Sequence, residues 1–270
     1  MKRLIVALCT LICLAAGAAR WVDLVNFTDL DTGFFTVGSH HLRYGVLAAV
    51  LVVLALCSLA APKTSKSLEG CCPAQGWLAL VSGVLFAALG GLELVNGMGD
   101  RLQMLLGVLC LATGVWLLLL GRSRFTPEFE APTANALWGI AGTLSLLLFT
   151  IQRFGLAPTG VARIEPNIQG MAALLCLLFC TAQLRLAYVP DGKSAKTTWF
   201  LGMSSFLFAA CLALPGRVCA FMVGQGDFLS LLEAVALAAV GCMGLVYSGS
   251  ILLAKPQPEP EDVQTQQEAL

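Results

Sequence analysis

The amino-acid sequence predicts an all-α integral membrane protein whose eight transmembrane helices form two parallel four-helix repeats. Of the 270 residues, 58% are hydrophobic and 12% are charged, whereas about a quarter of the residues in a soluble domain are charged. Apolar runs near the length of a membrane-spanning helix, about 20 residues, recur eight times along the chain, and a block in the third run is matched in the seventh. Lipid is therefore the expected solvent for most of the chain.

The predicted spans are separated by short polar segments that contain the prolines. Proline lacks the amide hydrogen and its ring clashes with the preceding turn, so it is tolerated best at helix ends. All eleven prolines lie at or beyond the ends of the apolar runs, which predicts continuous helices. The runs cover residues 4–22, 45–62, 76–95, 102–121, 135–152, 169–188, 198–214 and 228–254.

The first run has two interpretations. Basic "MKR", an apolar stretch and small residues with Ala16 and Ala18 in an A-x-A pattern are typical of a cleaved signal peptide. Cleavage would leave seven helices. The internal repeat favours a retained helix, because the corresponding run of the second half lies deep in the chain.

The best indication of a repeat is the block "WLALVSGVLFAA", residues 77–88, which matches "WFLGMSSFLFAA", residues 199–210, at six of twelve positions. An aligned tryptophan is informative because the chain has only five. Four is an even number, so the second half would enter the membrane from the same side as the first, as parallel repeats do. We expect a first repeat over 1–121, a cytoplasmic linker over 122–134, a second repeat over 135–254 and a disordered cytoplasmic tail over 255–270.

Small residues in the matched block predict a role in helix packing. Gly83, Ala87 and Gly91 are four apart, and small residues at this spacing let two helix backbones approach closely. Ser205 and Ala209 repeat the pattern in the second half.

The basic residues predict the orientation of the chain in the cell membrane. Short cytoplasmic loops are enriched in lysine and arginine. If the amino terminus and every second loop lie on one side, that side collects ten of the sixteen basic residues and all six lysines. Both termini are therefore expected to be cytoplasmic.

A polar stretch between the first two runs contains the D-T-G tripeptide Asp31, Thr32 and Gly33. Aspartic proteases use such a motif twice, because two carboxylates must share one proton. The matching place in the second half carries Pro158, so a protease is not predicted. Thr-Gly in both halves is typical of a turn.

The same stretch contains both histidines of the chain, which makes it a potential metal site. Asp29, Asp31, His40 and His41 are residue types that zinc or manganese binds. Adjacent histidines diverge on a helix or a strand, however, and rarely reach one ion. We interpret the stretch as an ordinary polar loop and expect no metal.

Four ionisable residues near the outer ends of the spans are the candidate ligand-binding site: Arg20, Glu93, Arg153 and Glu233. A charge that faces lipid costs several kcal/mol, so such groups are expected to turn inward and find opposite charges. The hypothesis is a shared polar vestibule. The alternative is that the arginines extend to the membrane surface and the glutamates cap helix ends.

Two functions remain open: binding or transport of a small ligand through an outward-facing vestibule, and a non-catalytic accessory or assembly subunit that packs against other membrane helices. The spans contain no recognisable catalytic group, so neither enzymatic activity nor a cofactor is expected. The absence of central charges and of proline-interrupted helices argues against coupled transport.

The expected partners follow from composition. They are the lipid bilayer and either a membrane-protein partner or a second copy of the chain, because small residues favour helix packing. Sixteen basic residues balance sixteen acidic ones, which gives no reason to expect nucleic acid.

Overall fold

The computed structural model describes residues 2–29, 34, 36–62, 72–126, 135–155, 163–188 and 195–253. Every element longer than a single residue in these ranges is a helix. The helices are α1 (Lys2–Phe27), α2 (His40–Ser58), α3 (Pro73–Asn96), α4 (Arg101–Ser123), α5 (Ala136–Gly155), α6 (Ile164–Tyr188), α7 (Ala195–Ser205), a π-helix (Phe206–Ala213), α8 (Leu214–Met222) and α9 (Phe228–Leu253).

Within the described ranges, eight helical spans are long and apolar enough to cross a membrane. Six of them are α1 to α6. The seventh runs without a break through α7, the π-helix and α8 (Ala195–Met222), and the eighth is α9. The predicted all-helical, multi-pass architecture is confirmed.

Residues at the predicted boundaries begin several helices. The Ser39 hydroxyl accepts a hydrogen bond from the His41 amide at the start of α2, and the Asp100 carboxylate accepts one from the Leu102 amide at the start of α4. Each side chain satisfies an amide that has no partner within its helix. Pro73 opens α3, where its missing amide hydrogen costs little.

The seventh span corrects the prediction that every proline lies at or beyond the end of a helix. Pro215 lies inside the span, in the first turn of α8, directly after the π-helix. A proline cannot donate to the carbonyl four residues before it, which here belongs to Cys211. Gly17 of α1 packs on that carbonyl so closely that an added Cβ would lie 2.9 Å from the oxygen. The π-helix lies directly before the proline, and the span continues past it to Met222.

Glycines form the seam between α3 and α4. Gly76, Gly83 and Gly90 on α3 face Gly121, Gly114 and Gly107 on α4, and a Cβ at Gly83 would lie 3.0 Å from the Gly114 carbonyl oxygen. Residues seven apart differ by only about 20° around a helix, so the three glycines of α3 share one face. The backbones therefore touch directly.

One member of the predicted small-residue pattern lies outside this seam. A Cβ added at Gly91 would meet no atom within 4 Å. Two steps of four residues rotate the position by about 80°, which carries Gly91 away from the face that Gly83 and Gly90 share. Glycines seven residues apart on α3, and not those eight apart, therefore form its contact with α4.

A second seam joins the seventh span to α9. A Cβ at Gly241 would lie 2.9 Å from the Ser205 carbonyl oxygen and 3.3 Å from the Ala209 Cβ. The two aligned tryptophans differ in environment, because the exposed fraction is 63% for Trp77 and 0% for Trp199.

Three predicted features lie outside the described residues. They are the D-T-G tripeptide at 31–33, most of the linker predicted at 122–134, and the tail predicted at 255–270.

Candidate functional site

Charged side chains from six spans form ion pairs or hydrogen bonds at one end of the bundle, which we call the polar end. It is the end at which α1, α5 and α8 finish and α2, α6 and α9 begin. Ion pairs connect Arg20 of α1 with Glu165 of α6, and Arg153 of α5 with Glu233 of α9. Because each pair joins a helix end to a helix start, these neighbouring spans run in opposite directions.

The Asp23 carboxylate is shared by two arginines. Arg20 Nη1 lies 3.0 Å from Asp23 Oδ2. Arg43 of α2 donates to Asp23 Oδ1 through Nη2 at 2.5 Å and through Nε at 3.0 Å. The forked guanidinium group suits this arrangement, since it offers five donors in fixed directions. Asp23 thereby joins the end of α1 to the beginning of α2.

Arg20 extends the contacts to a third helix. Its Nη2 lies 2.5 Å from Oε2 of Glu165, in the first turn of α6. The other oxygen, Glu165 Oε1, accepts from Gln169 Nε2 at 2.8 Å. Gln169 Oε1 in turn accepts a hydrogen bond from Arg217 of α8. Six side chains are thus connected.

We call this set the arginine network; it consists of Arg20, Asp23, Arg43, Glu165, Gln169 and Arg217. Its members come from four spans. It contains three guanidinium groups and two carboxylates. Within the described part of the chain, Arg217 forms no ion pair at salt-bridge distance and bonds only to the neutral amide of Gln169.

Arg20 is the most deeply placed member of the network. Its side chain is 5% exposed, and two carboxylates compensate its charge. Its Nε is buried and has no hydrogen-bond partner among the described residues. An unpaired buried donor costs about 1–3 kcal/mol. The ion pairs of Arg20 with Asp23 and Glu165 must therefore offset the cost of the unsatisfied Nε group.

The second cluster at the polar end is built around Arg153 and Glu233. Arg153 Nη2 lies 2.5 Å from Glu233 Oε2, with side-chain exposures of 25% and 13%. The Glu93 side chain of α3 makes no hydrogen bond or ion pair within the described ranges, but it lies near enough to Glu233 and Asp227 for their charges to interact. Arg217 is within the same electrostatic range of Arg153 and Glu233, which places it between the two groups.

Asp227 lies at the start of α9, outside the spans. Hydrogen bonds from Ser230 hold the pKa of the Asp227 carboxyl below its usual value. Asp227 therefore stays ionised near neutral pH, beside the cluster of Arg153 and Glu233.

The structure brings two of the four predicted site residues into contact. Arg153 and Glu233 form a pair, Glu93 lies near them, and Arg20 pairs instead with Asp23 and Glu165. All four lie at the polar end.

Sequence reasoning missed five members of the arginine network: Asp23, Arg43, Glu165, Gln169 and Arg217. It began the sixth span at residue 169 and ended the seventh at 214, so Glu165 and Arg217 fell in supposed loops. An acidic residue followed by a proline, as in Glu165 and Pro166, is typical of a helix start and indicates an earlier beginning of α6. No simple pattern signals the extension past Pro215.

The two histidines lie at the start of α2. Their ring centroids are 4.0 Å apart and their planes are inclined by 43°. In the part of the chain that the structure describes, no three potential metal ligands are grouped.

Comparisons with protein-family models, with curated proteins and with solved structures find no significant match to this chain. The geometry of the polar end is therefore the main indication of function.

Proposed function

We propose that this multi-pass protein of the cell membrane binds a small ligand in an outward-facing vestibule at the polar end, with both termini in the cytoplasm. Arg20, Glu93, Arg153 and Glu233 belong to the vestibule, and the arginine network completes it. The segregation of all six lysines to the other side of the membrane supports the orientation.

The observation that carries the proposal is the environment of Arg217. Burying an ion away from water costs several kcal/mol unless an opposite charge compensates it. Among the described residues, Arg217 donates to the neutral amide of Gln169 and makes no ion pair at salt-bridge distance. A ligand with negative charge supplies the missing compensation. Its binding therefore stabilises the folded protein.

The site binds without catalysing a reaction. Arginine remains protonated at physiological pH, so the three arginines of the network serve as hydrogen-bond donors and not as proton acceptors. The two carboxylates of the network are already engaged by arginine, and no side chain there resembles an activated nucleophile. The proposed activity is recognition.

Thermal unfolding of the purified protein in detergent tests the proposal. A ligand that binds only the folded state raises the midpoint as its concentration exceeds Kd. The probes are inorganic phosphate, glycine, L-glutamate and dihexanoyl phosphatidylglycerol, each added separately. We expect at least one negatively charged probe to raise the midpoint.

A pair of arginine variants supplies the control. Arg217→Gln removes the guanidinium charge that lacks an ion pair, whereas Arg101→Gln removes the same charge from an exposed position at the start of α4, the same end of the bundle. The stabilising effect should persist in Arg101→Gln and be lost in Arg217→Gln. Equal shifts in both variants, or no shift with any probe, would show that the polar end holds no ligand.

A second function, that of an accessory subunit, is supported by the low burial of two spans. Only 17% of an 18-residue apolar stretch of α1 and 11% of such a stretch of α2 are buried within the protein. Such faces contact either lipid or a partner helix, from another membrane protein or from a second copy of the chain. The ligand test separates the two functions, because an accessory subunit needs no response to any probe.

We also propose that the two halves are related as parallel repeats. The seams support this. On α4, Gly114 packs against Gly83 and Ala87; on α9, Gly241 packs against Ser205 and Ala209. Ala87 and Ala209 are aligned in the matched block, and Gly114 and Gly241 lie fourteen residues after the aligned Asp100 and Asp227.

A further inference from the structure

Two opposite charges at the polar end do not meet each other. Among the described residues, the Glu93 side chain makes no hydrogen bond or ion pair, and Arg217 donates only to the neutral amide of Gln169. An ion that is partly withdrawn from water is stabilised by an opposite charge at contact distance. Glu93 and Arg217 each lack such a charge.

Glu93 lies on the inner face of α3. It follows Phe86 by seven residues, which corresponds to about 20° around the helix, and the Phe86 side chain is fully buried. Cys110 of α4, which is also fully buried, lies within electrostatic range of both Glu93 and Glu233. The half-buried Glu93 carboxylate is therefore directed toward the bundle and not toward lipid.

Glu93 and Arg217 border the same region of the polar end. Both lie within electrostatic range of Glu233 and of Asp227. Glu233 is engaged by Arg153, whose Nη2 lies 2.5 Å from Glu233 Oε2, so it does not supply the partner that Arg217 lacks. The region thus contains a compensated ion pair together with one uncompensated cation and one uncompensated anion.

The unpaired atoms of both residues are accessible. Arg20 Nε is an example of a side-chain atom that is fully buried and has no hydrogen-bond partner among the described residues. No atom of Glu93 or of Arg217 belongs to that group, although Arg217 uses one nitrogen for Gln169 and the Glu93 oxygens use none. A small molecule from the aqueous side can therefore reach them.

The signs of the charges decide between two kinds of ligand. A simple anion beside Arg217 would also meet the repulsion of three carboxylates, those of Glu93, Asp227 and Glu233. A molecule that carries both a negative and a positive group compensates Arg217 and Glu93 together. It also loses its translational and rotational freedom only once, whereas two separate ions would lose it twice.

From this arrangement we infer that the vestibule binds a small zwitterion, whose carboxylate lies against Arg217 and whose ammonium group lies against Glu93. This inference rests on the proposed function, because it names the class of ligand that the polar end binds. The forked guanidinium group suits a carboxylate, and the three donors of an ammonium group suit the acceptor oxygens of Glu93. Amino acids have this chemistry.

The test measures the thermal unfolding midpoint of the purified full-length protein in detergent at constant ionic strength. Glycine, 4-aminobutyrate and 6-aminohexanoate hold their two charges at increasing separation. Each is compared with the carboxylic acid and with the amine of the same carbon number, which carry one charge. At least one amino acid should raise the midpoint by at least about 2 °C at saturation, and its shift should exceed those of its two single-charge analogues.

Two acidic variants test the role of Glu93. Glu93→Gln should reduce the shift by that amino acid to the shift given by its carboxylic acid. Asp100→Asn is the control, because Asp100 is exposed at the start of α4, at the same end of the bundle, and asparagine caps a helix as well as aspartate does. It should retain the full shift, whereas Arg217→Gln should abolish it. The shift itself is the readout, so a less stable variant remains informative.

Two results would overturn the inference: equal shifts with each amino acid and its carboxylic acid, and equal amino-acid shifts in Glu93→Gln and Asp100→Asn. If the carboxylic acids or inorganic phosphate protect the wild type but not Arg217→Gln, while the amino group adds nothing, the vestibule stands and the zwitterion is wrong. If no probe protects the protein, both proposals are wrong.

Discussion

The guanidinium Nη2 of Arg153 and the carboxylate Oε2 of Glu233 lie 2.5 Å apart and join the end of α5 to the beginning of α9. Both side chains are at least three-quarters buried. In such surroundings each charge depends on the other, because removing one partner leaves the second without compensation.

The first prediction is that the Arg153 and Glu233 substitutions are not additive. Glu233→Gln and Arg153→Gln should each lower the free energy of unfolding by about 1.5–3 kcal/mol, as expected for a hydrogen bond to a charged group. The double variant should lose less than the sum of the two single losses. Unfolding in detergent measures all three. Strict additivity would mean that the pair contributes no interaction energy.

The second prediction concerns the shape of the Arg20 side chain. Arg20→Lys keeps the positive charge, but a single ammonium group does not reproduce the fork that reaches Asp23 and Glu165 together. The thermal unfolding midpoint should fall, by the equivalent of about 1.5–3 kcal/mol. Arg101→Lys, at an exposed position on the same end, is the control and should be neutral. A midpoint unchanged in Arg20→Lys would show that charge alone is needed.

The sequence was sufficient to predict the eight spans and the position of the polar end, because both follow from hydrophobicity and from the cost of ions in lipid. It was not sufficient to predict which arginine meets which carboxylate. Arg20 pairs with Glu165, 145 positions away, and that choice depends on how α1 and α6 pack. Glu165 was also hidden by a boundary error of five residues, since α6 begins at Ile164 and not at 169.

The glycine pattern failed for a different reason. A spacing of four suggested that Gly83 and Gly91 face the same helix, but a face of α3 is set by its crossing with α4. That crossing selects Gly76, Gly83 and Gly90. A periodicity read along one helix does not reveal the direction of its neighbour.

The third prediction compares alanine substitutions at two glycines, Gly114 of α4 and Gly91 of α3. Gly114→Ala places a methyl group 2.9 Å from the Ala87 amide nitrogen and from the Gly83 carbonyl oxygen, so two backbones must move apart. The expected loss is about 1–3 kcal/mol. Gly91→Ala meets no atom within 4 Å and should be neutral or slightly stabilising. Equal unfolding midpoints for the two variants would contradict the prediction.

The fourth prediction concerns topology. A single cysteine placed at Ser39, at the start of α2, should react with a membrane-impermeant thiol reagent added outside intact cells. One at Ser65, outside the described residues, should react only after permeabilisation. The unsubstituted chain, with its own eleven cysteines, provides the background. The opposite labelling pattern would place both termini outside.

The π-helix of Phe206–Ala213 has a consequence for the direction in which the rest of the seventh span points. A π-helix closes its hydrogen bonds over one residue more than an α-helix does, and one residue corresponds to about 100° of rotation. The π-helix therefore rotates α8 about the helix axis relative to α7. This rotation directs Arg217 toward Gln169 in the interior of the bundle. Deleting one residue from the π-helix would direct Arg217 toward another side of the bundle without any change to the sequence of α8.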